Sequence, residues 1–131
     1  MLEVVMLNNI KKTILVVEDD DAIRGLAKSV LMRSNYDVLT ASNGQEALDI
    51  YKLEKSKISL IILDLLMPVM DGKRCLKKLL ETNPHIKVII TSGCVEGEDS
   101  DVIVDGVSYC LQKPYSIGNL LFLIDKILID K

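Results

Sequence analysis

Four groups in this chain stand directly after short aliphatic runs: Glu18-Asp19, Asp64, Thr91-Ser92 and Lys113-Pro114. A short aliphatic run closed by a charged or hydroxyl residue reads as a buried strand whose last position emerges at the sheet edge. In an open parallel α/β sheet, ligands bind beyond the carboxyl ends of the strands, so all four groups can line one crevice. Carboxylates that converge there repel one another and raise each other's pKa unless a cation neutralises them. A hard divalent cation suits such a site. Magnesium prefers octahedral oxygen ligation, keeps several waters, and takes one or two carboxylates together with phosphate oxygens. Asp19 and Asp64 can supply those carboxylates. Glu18-Asp19 alone would equally suit a plain acidic surface patch. Asp64 is harder to read that way, because an ionised Asp directly after Leu60-Ile61-Ile62-Leu63 is costly without a partner. Lys113 can be that partner as a mobile point charge, reaching either Asp64 or phosphate oxygens attached to it. The Thr91 hydroxyl can donate to the same oxygens.

The elements that must position these groups alternate between strand and helix. Ile14 to Val17 reads as the first strand. Asp20 or Asp21 then supplies an N-cap, and Ile23, Leu26, Ala27, Val30 and Leu31 fall at helical spacing. Asp37 to Ala41 is a second strand, and Asn43-Gly44 opens a helix carrying Ala47, Leu48 and Tyr51. Leu60 to Asp64 is the third strand. Met67-Pro68 breaks the chain, Asp71-Gly72 starts a helix through Leu76, Leu79 and Leu80, and Asn83-Pro84 stops it. A strand from Lys87 to Thr91, a helix around Glu98 to Asp105, a strand from Tyr109 to Gln112 and a helix from Ser116 to about Asp130 complete five βα units. The segment Glu98 to Asp105 is poorly helical, with Gly97 at its start, Asp99, Asp101 and Asp105 along it, and the β-branched run Val102-Ile103-Val104. It is expected to be the weakest element and the site of conformational change.

Five βα units predict an α/β fold, a doubly wound, flavodoxin-like three-layer sandwich with a parallel sheet and helices on both faces. The expected strand order is 2-1-3-4-5, which makes strands one and three neighbours and brings Glu18, Asp19 and Asp64 together at the switch point.

Composition narrows the function classes. With 131 residues the chain has the usual size of one domain, and 49% of them are apolar while aromatics are scarce, so the core must be built from Leu, Ile and Val. A net charge of -3 provides no basic footprint for direct nucleic-acid binding. Cys75, Cys94 and Cys110 are widely spaced, without a C-x-x-C pair, which argues against a disulfide framework or zinc site and fits a reducing cytoplasm. His85, the only histidine, reads as an exposed loop residue. No apolar run approaches the ~20 residues of a membrane helix, so no membrane contact is expected. Residues 1–12 read as a lead-in or linker remnant and 13–131 as the domain.

The segments Ile14-Leu-Val-Val-Glu-Asp-Asp20, Leu63-Asp-Leu-Leu-Met-Pro-Val-Met-Asp-Gly72, Thr91-Ser-Gly93 and Gln112-Lys-Pro-Tyr115 together resemble the receiver domains of two-component response regulators, in the family's order and over Thr13 to about Leu128. The resemblance implies a phosphoacceptor role for Asp64, taking a phosphoryl group from the phosphohistidine of a sensor histidine kinase or a histidine phosphotransfer domain, or from a small phosphodonor. It implies magnesium (Mg2+) held by Asp19, Asp64 and the backbone carbonyl of Leu66, with Glu18 acting mainly through a bound water. Lys113 would pair with phosphoryl oxygens, Thr91 would be the switch hydroxyl, and the Lys113-Pro114 bond would be cis.

Lys12 to Asp20, Thr40 to Leu48 and Leu111 to Tyr115 are similar to receivers of hybrid sensor kinases. The chain reaches Lys131 without an output domain, which fits a receiver excised from a hybrid kinase or one that stands alone. One position departs from the family: an aromatic is usual three residues before the lysine, whereas here Cys110 stands there and Tyr109 precedes it. Tyr109 is expected to face the opposite side of the strand, with Cys110 a small core residue. Other classes fit less well. A pseudo-receiver usually lacks one of the acidic, threonine or lysine elements. An aspartyl phosphohydrolase would need a second acid where Leu66 stands. A nucleotide or flavin carrier would want a glycine- or hydroxyl-rich phosphate loop where this chain has Glu18 to Asp21.

Overall fold

A computed structural model of the protein describes residues 11–65, 67, 70–92 and 109–129. Leu66, Cys94 and the segment Glu98 to Asp105 lie outside the described residues. The described elements are β1 (Thr13–Val17), α1 (Asp21–Arg33), β2 (Asp37–Ala41), α2 (Gly44–Glu54), β3 (Ile58–Asp64), α3 (Gly72–Thr82), β4 (Val88–Ser92), β5 (Tyr109–Gln112) and α4 (Ile117–Ile129). The five strands form one parallel sheet in the order β2-β1-β3-β4-β5, as expected.

Strand periodicity sorts the core into two layers. Leu15, Val17, Ile61, Leu63, Val88 and Ile90 face one side, where they meet Ala47 and Tyr51 of α2 and Cys75, Leu76 and Leu79 of α3. Ile14, Val16, Leu60, Ile62 and Ile89 face the other, against Ala27 and Leu31 of α1 and Leu120, Ile124, Ile127 and Leu128 of α4. Buried on both faces, the central strands need apolar residues at every position, which is why they read as continuous aliphatic runs. Each buried Leu or Ile contributes about 1.5–3 kcal/mol through the hydrophobic effect. On β5, Cys110 packs with the first layer and Tyr109 with the second, which bears out the expected inversion of these neighbours.

Local signals set the helix starts. Asp20, Asn43 and Asp71 each accept a hydrogen bond from the backbone N–H three residues on, at Ile23, Glu46 and Arg74. Asp20, not Asp21, is therefore the first cap. Helix α1 stops where Asn35 turns left-handed (φ 74°) and the Tyr36 N–H reaches the Leu31 carbonyl. The Tyr36 hydroxyl then donates to Asp125 on α4, and burial with this acidic neighbour drives the phenol pKa up. The last carbonyls of α4 accept from lysines at the starts of two strands, Lys12 to Leu128 (2.8 Å) and Lys87 to Ile127 (3.4 Å). Cations there also favour the negative end of the helix dipole.

The apolar stripe of α1 is only partly core. Ala27 and Leu31 are buried, but Ile23 is 38% and Leu26 55% exposed. The first turns of α1 carry them beside Pro114, Tyr115 and Ile117, where they line an open apolar groove of about 400 Å³.

Candidate functional site

The site grows from the register of the three central strands. Val17 of β1 is opposite Leu63 of β3, so the residues that follow, Glu18 and Asp64, emerge side by side. Asp64 is in turn the register partner of Thr91 on β4. Two further bonds carry the ladders past the strand ends, from Glu18 N–H to the Ala41 carbonyl (3.0 Å) and from Leu65 N–H to the Thr91 carbonyl (3.1 Å). Glu18, Asp64 and Thr91 are all buried, at 4%, 3% and 2% exposure, while Asp19 faces solvent. One carboxylate oxygen from each of Glu18, Asp19 and Asp64 lies within 4.8 Å of the others.

Lys113, immediately after β5, closes the cluster. Its Nζ lies 3.0 Å from Glu18 Oε1 and 3.2 Å from Asp64 Oδ2, and the Lys113-Pro114 bond is cis, as expected. The sequence pointed Lys113 at Asp64; the structure adds Glu18 as an equal partner. The other Glu18 oxygen accepts the Asp20 N–H at 3.2 Å.

Electrostatics show a site short of positive charge. Burial pushes the Glu18 carboxyl above its ordinary value and the Asp64 charge pushes the same way, against the Lys113 and Asp20 hydrogen bonds. Burial would lower the Lys113 ammonium, but the Glu18 and Asp64 carboxylates outweigh it, so its pKa rises. The Tyr115 phenol, also half-buried, is raised by burial and then by the Glu18 charge. Three carboxyl groups, two of them buried, thus share one ammonium. An all-oxygen, acidic donor set of this kind fits a hard divalent cation such as Mg2+.

This gives a pH prediction. A carboxyl whose folded pKa is raised contributes stability that is complete below its unfolded value, 4.5 for Glu18, and is lost as pH rises through the folded pKa. In metal-free buffer at pH 7, Glu18→Gln should therefore melt higher than the parent protein. The gap should close as the pH falls toward 4.5, where the parent Glu18 is itself protonated. Thermal melts of both proteins across that range check the sign, and a variant that melts lower at pH 7 refutes it.

Glu18, Asp19, Asp64, Thr91 and Lys113, singled out in the sequence, thus stand together at the carboxyl ends of the strands; the Leu66 carbonyl lies outside the described residues. Two features escaped the sequence reading. Gly72 passes so close to the end of β3 that its N–H donates to the Leu65 carbonyl at 2.8 Å. Arg24 folds back from α1 onto the loop holding Glu18 and Asp19. An arginine one turn into a helix that starts with an acidic run was the available signal for the second.

Comparison with known proteins agrees with this geometry. Residues 14–125 match the response regulator receiver domain family, and the chain belongs to that family. Sensor kinase CckA of Brucella abortus is 34% identical over 117 residues, covering 88% of this chain but only 12% of that protein. Response regulator receiver protein CpdR of the same organism is 31% identical and is covered over 98% of its length, against 90% of this chain. The response regulator protein TrrA of Thermotoga maritima, solved in complex with Mg2+ and BeF, superposes with a TM-score of 0.77 at 28% identity, covering 88% of this chain and 98% of that one. The domain is therefore a two-component receiver, similar both to one carried within a sensor kinase and to one matched nearly end to end. Among the described residues no helix is long and apolar enough to cross a membrane.

Proposed function

We propose that Asp64 is the phosphoacceptor of this receiver, taking a phosphoryl group from the phosphohistidine of a sensor histidine kinase or histidine phosphotransfer domain. The observation that carries the reading is the setting of Asp64: a buried carboxylate gripped by Lys113 on one side and grouped with Glu18 and Asp19 on the other. A carboxylate oxygen of Asp64 attacks phosphorus, the P–N bond to the donor imidazole breaks, and the bond's electron pair leaves with that imidazole. Lys113 moves its charge from the carboxylates to the arriving phosphoryl oxygens, and the Thr91 hydroxyl, one strand over, donates to another.

Asp19 and Asp64, with the Leu66 carbonyl, would hold Mg2+, which supplies charge neutralisation for the phosphoryl oxygens. Glu18 has one oxygen on Lys113 and the other on the Asp20 amide, which supports a role through a bound water rather than direct ligation. In this reading the domain catalyses its own phosphorylation and slow hydrolysis and passes its state on through partner contacts. The apolar groove of Ile23, Leu26 and Tyr115 beside Lys113 is where the donor domain docks. Residues 13–131 act as the receiver, after a lead-in at 1–12, in the cytoplasm, within a hybrid kinase or alone. Direct binding to nucleic acid or to a membrane plays no part.

The test is intact mass after incubation with Mg2+ and a small phosphodonor. One added phosphoryl group, abolished by a chelator, supports the reading; no added mass under saturating donor and Mg2+ overturns it.

Lys113 gives a second test. Its ammonium competes with the metal for the same carboxylates, so Lys113→Ala should keep Mg2+ affinity or tighten it, up to about tenfold, while impairing the response to phosphorylation. Calorimetric titration decides: a marked loss of Mg2+ affinity would contradict the arrangement.

A further inference from the structure

Two of the three clustered carboxylates, Glu18 and Asp19, sit on the short loop between β1 and α1, so their convergence on Asp64 depends on how that loop is held. Asp20 holds part of it, with its N–H on Glu18 and its side chain capping α1. Arg24 holds the rest. Its guanidinium turns back toward β1, and Nη1 donates to the Glu18 carbonyl at 2.9 Å and reaches the Asp19 carbonyl at 3.5 Å. Nη2 pairs with the Asp21 carboxylate. The Arg24 side chain is only 22% exposed, whereas that of Asp21 is 90% exposed. Of the three contacts, the one on the Glu18 carbonyl is part-buried, and those on Asp19 and Asp21 are exposed. A planar guanidinium can serve two carbonyls and a carboxylate at once, which a lysine ammonium on a flexible stem does poorly.

We propose that Arg24 is a positioning residue for the metal site, fixing the backbone of Glu18 and Asp19 so that their carboxylates meet that of Asp64. The proposal rests on the reading of that cluster as a Mg2+ site. It makes a prediction opposite to simple electrostatics. Arg24 adds positive charge near the cation, so its removal should tighten Mg2+ if charge were its only influence. As a positioning group it should do the reverse. Groups that orient metal ligands without touching the metal typically change affinity by about 10–100-fold when removed.

The experiment is calorimetric titration of Mg2+ into the parent protein, Arg24→Gln and Arg24→Lys, at a temperature where circular dichroism shows each folded. The expected result is Mg2+ binding about tenfold weaker in Arg24→Gln despite the lost charge, and weaker also in Arg24→Lys, which keeps the charge and loses the fork. Hydrogen exchange at the Asp19 and Asp20 amides should rise in both variants. Unchanged or tighter Mg2+ binding in the folded variants overturns the role of Arg24 while leaving the metal site standing. A variant that merely melts lower, with parental Mg2+ affinity, overturns it equally. Failure of the parent protein to bind Mg2+ at millimolar concentration removes the metal site itself, and the positioning role with it.

Discussion

Asp64→Asn should abolish phosphoryl uptake: with Mg2+ and excess phosphodonor the variant gains no mass under conditions that phosphorylate the parent. The substitution keeps the shape of the side chain and its place at the end of β3, in register with Thr91. It replaces an anionic oxygen nucleophile with a neutral amide, and a rate loss of a hundredfold or more corresponds to only about 3 kcal/mol in the barrier. Within the cluster Asp19 is the carboxylate that solvent reaches, but Lys113 grips Glu18 and Asp64, not Asp19. A phosphoryl group arriving on Asp19 would lack that charge. The loss must not come from unfolding. Removing one of three crowded carboxylates relieves repulsion, so the variant should melt no lower than the parent in metal-free buffer. If Asp64→Asn still gains a phosphoryl mass, Asp64 is not the acceptor.

Much of this site could be read before any fold was known, because strand ends in a parallel sheet announce themselves as aliphatic runs that stop at a polar residue. Glu18, Asp64 and Thr91 stand at such ends, and five alternating units support the strand order that the receiver resemblance implies. The rest depends on three-dimensional approach, which residue types do not record. Helical spacing groups Ile23 and Leu26 with Ala27 and Leu31, yet Ile23 and Leu26 line a groove, because spacing says which side of a helix is apolar but not how far the sheet beneath extends. The contact of Lys113 with Asp64 is borne out, while its second partner was not legible, since nothing in sequence separation indicates that the same Nζ lies 3.0 Å from Glu18, 95 residues away. Arg24 is a related case: its i,i+3 pairing with Asp21 is visible in residue types, but its contacts with the Glu18 and Asp19 carbonyls are not. Tyr109 and Cys110, by contrast, were assigned to their faces correctly, because alternation along a strand is fixed by backbone geometry alone.

Gly72→Ala should destabilise the domain and weaken its metal site together. The sequence marked Asp71-Gly72 only as a helix start, but a Cβ built at Gly72 would lie 2.4 Å from the Leu65 Cα and 2.5 Å from the Asp64 carbonyl oxygen. Both are backbone atoms of the strand end that presents Asp64, so no rotamer change can make room. Either the start of α3 moves off the sheet, breaking the Gly72 N–H bond to the Leu65 carbonyl, or Asp64 shifts. Overpacking of this kind costs on the order of 3 kcal/mol, a fall in Tm of ~10 °C for a domain of this size. Gly25 supplies the control, since a Cβ there meets nothing within 4 Å and the residue lies inside an exposed stretch of α1. Gly25→Ala should therefore raise stability by about 1 kcal/mol through helix propensity. Paired thermal melts and Mg2+ titrations check both. Gly72→Ala should lose Tm and Mg2+ affinity in parallel, while Gly25→Ala gains Tm with its Mg2+ affinity unchanged. Parental behaviour of Gly72→Ala in both measurements would mean that the turn after Asp64 is not held by the close approach described.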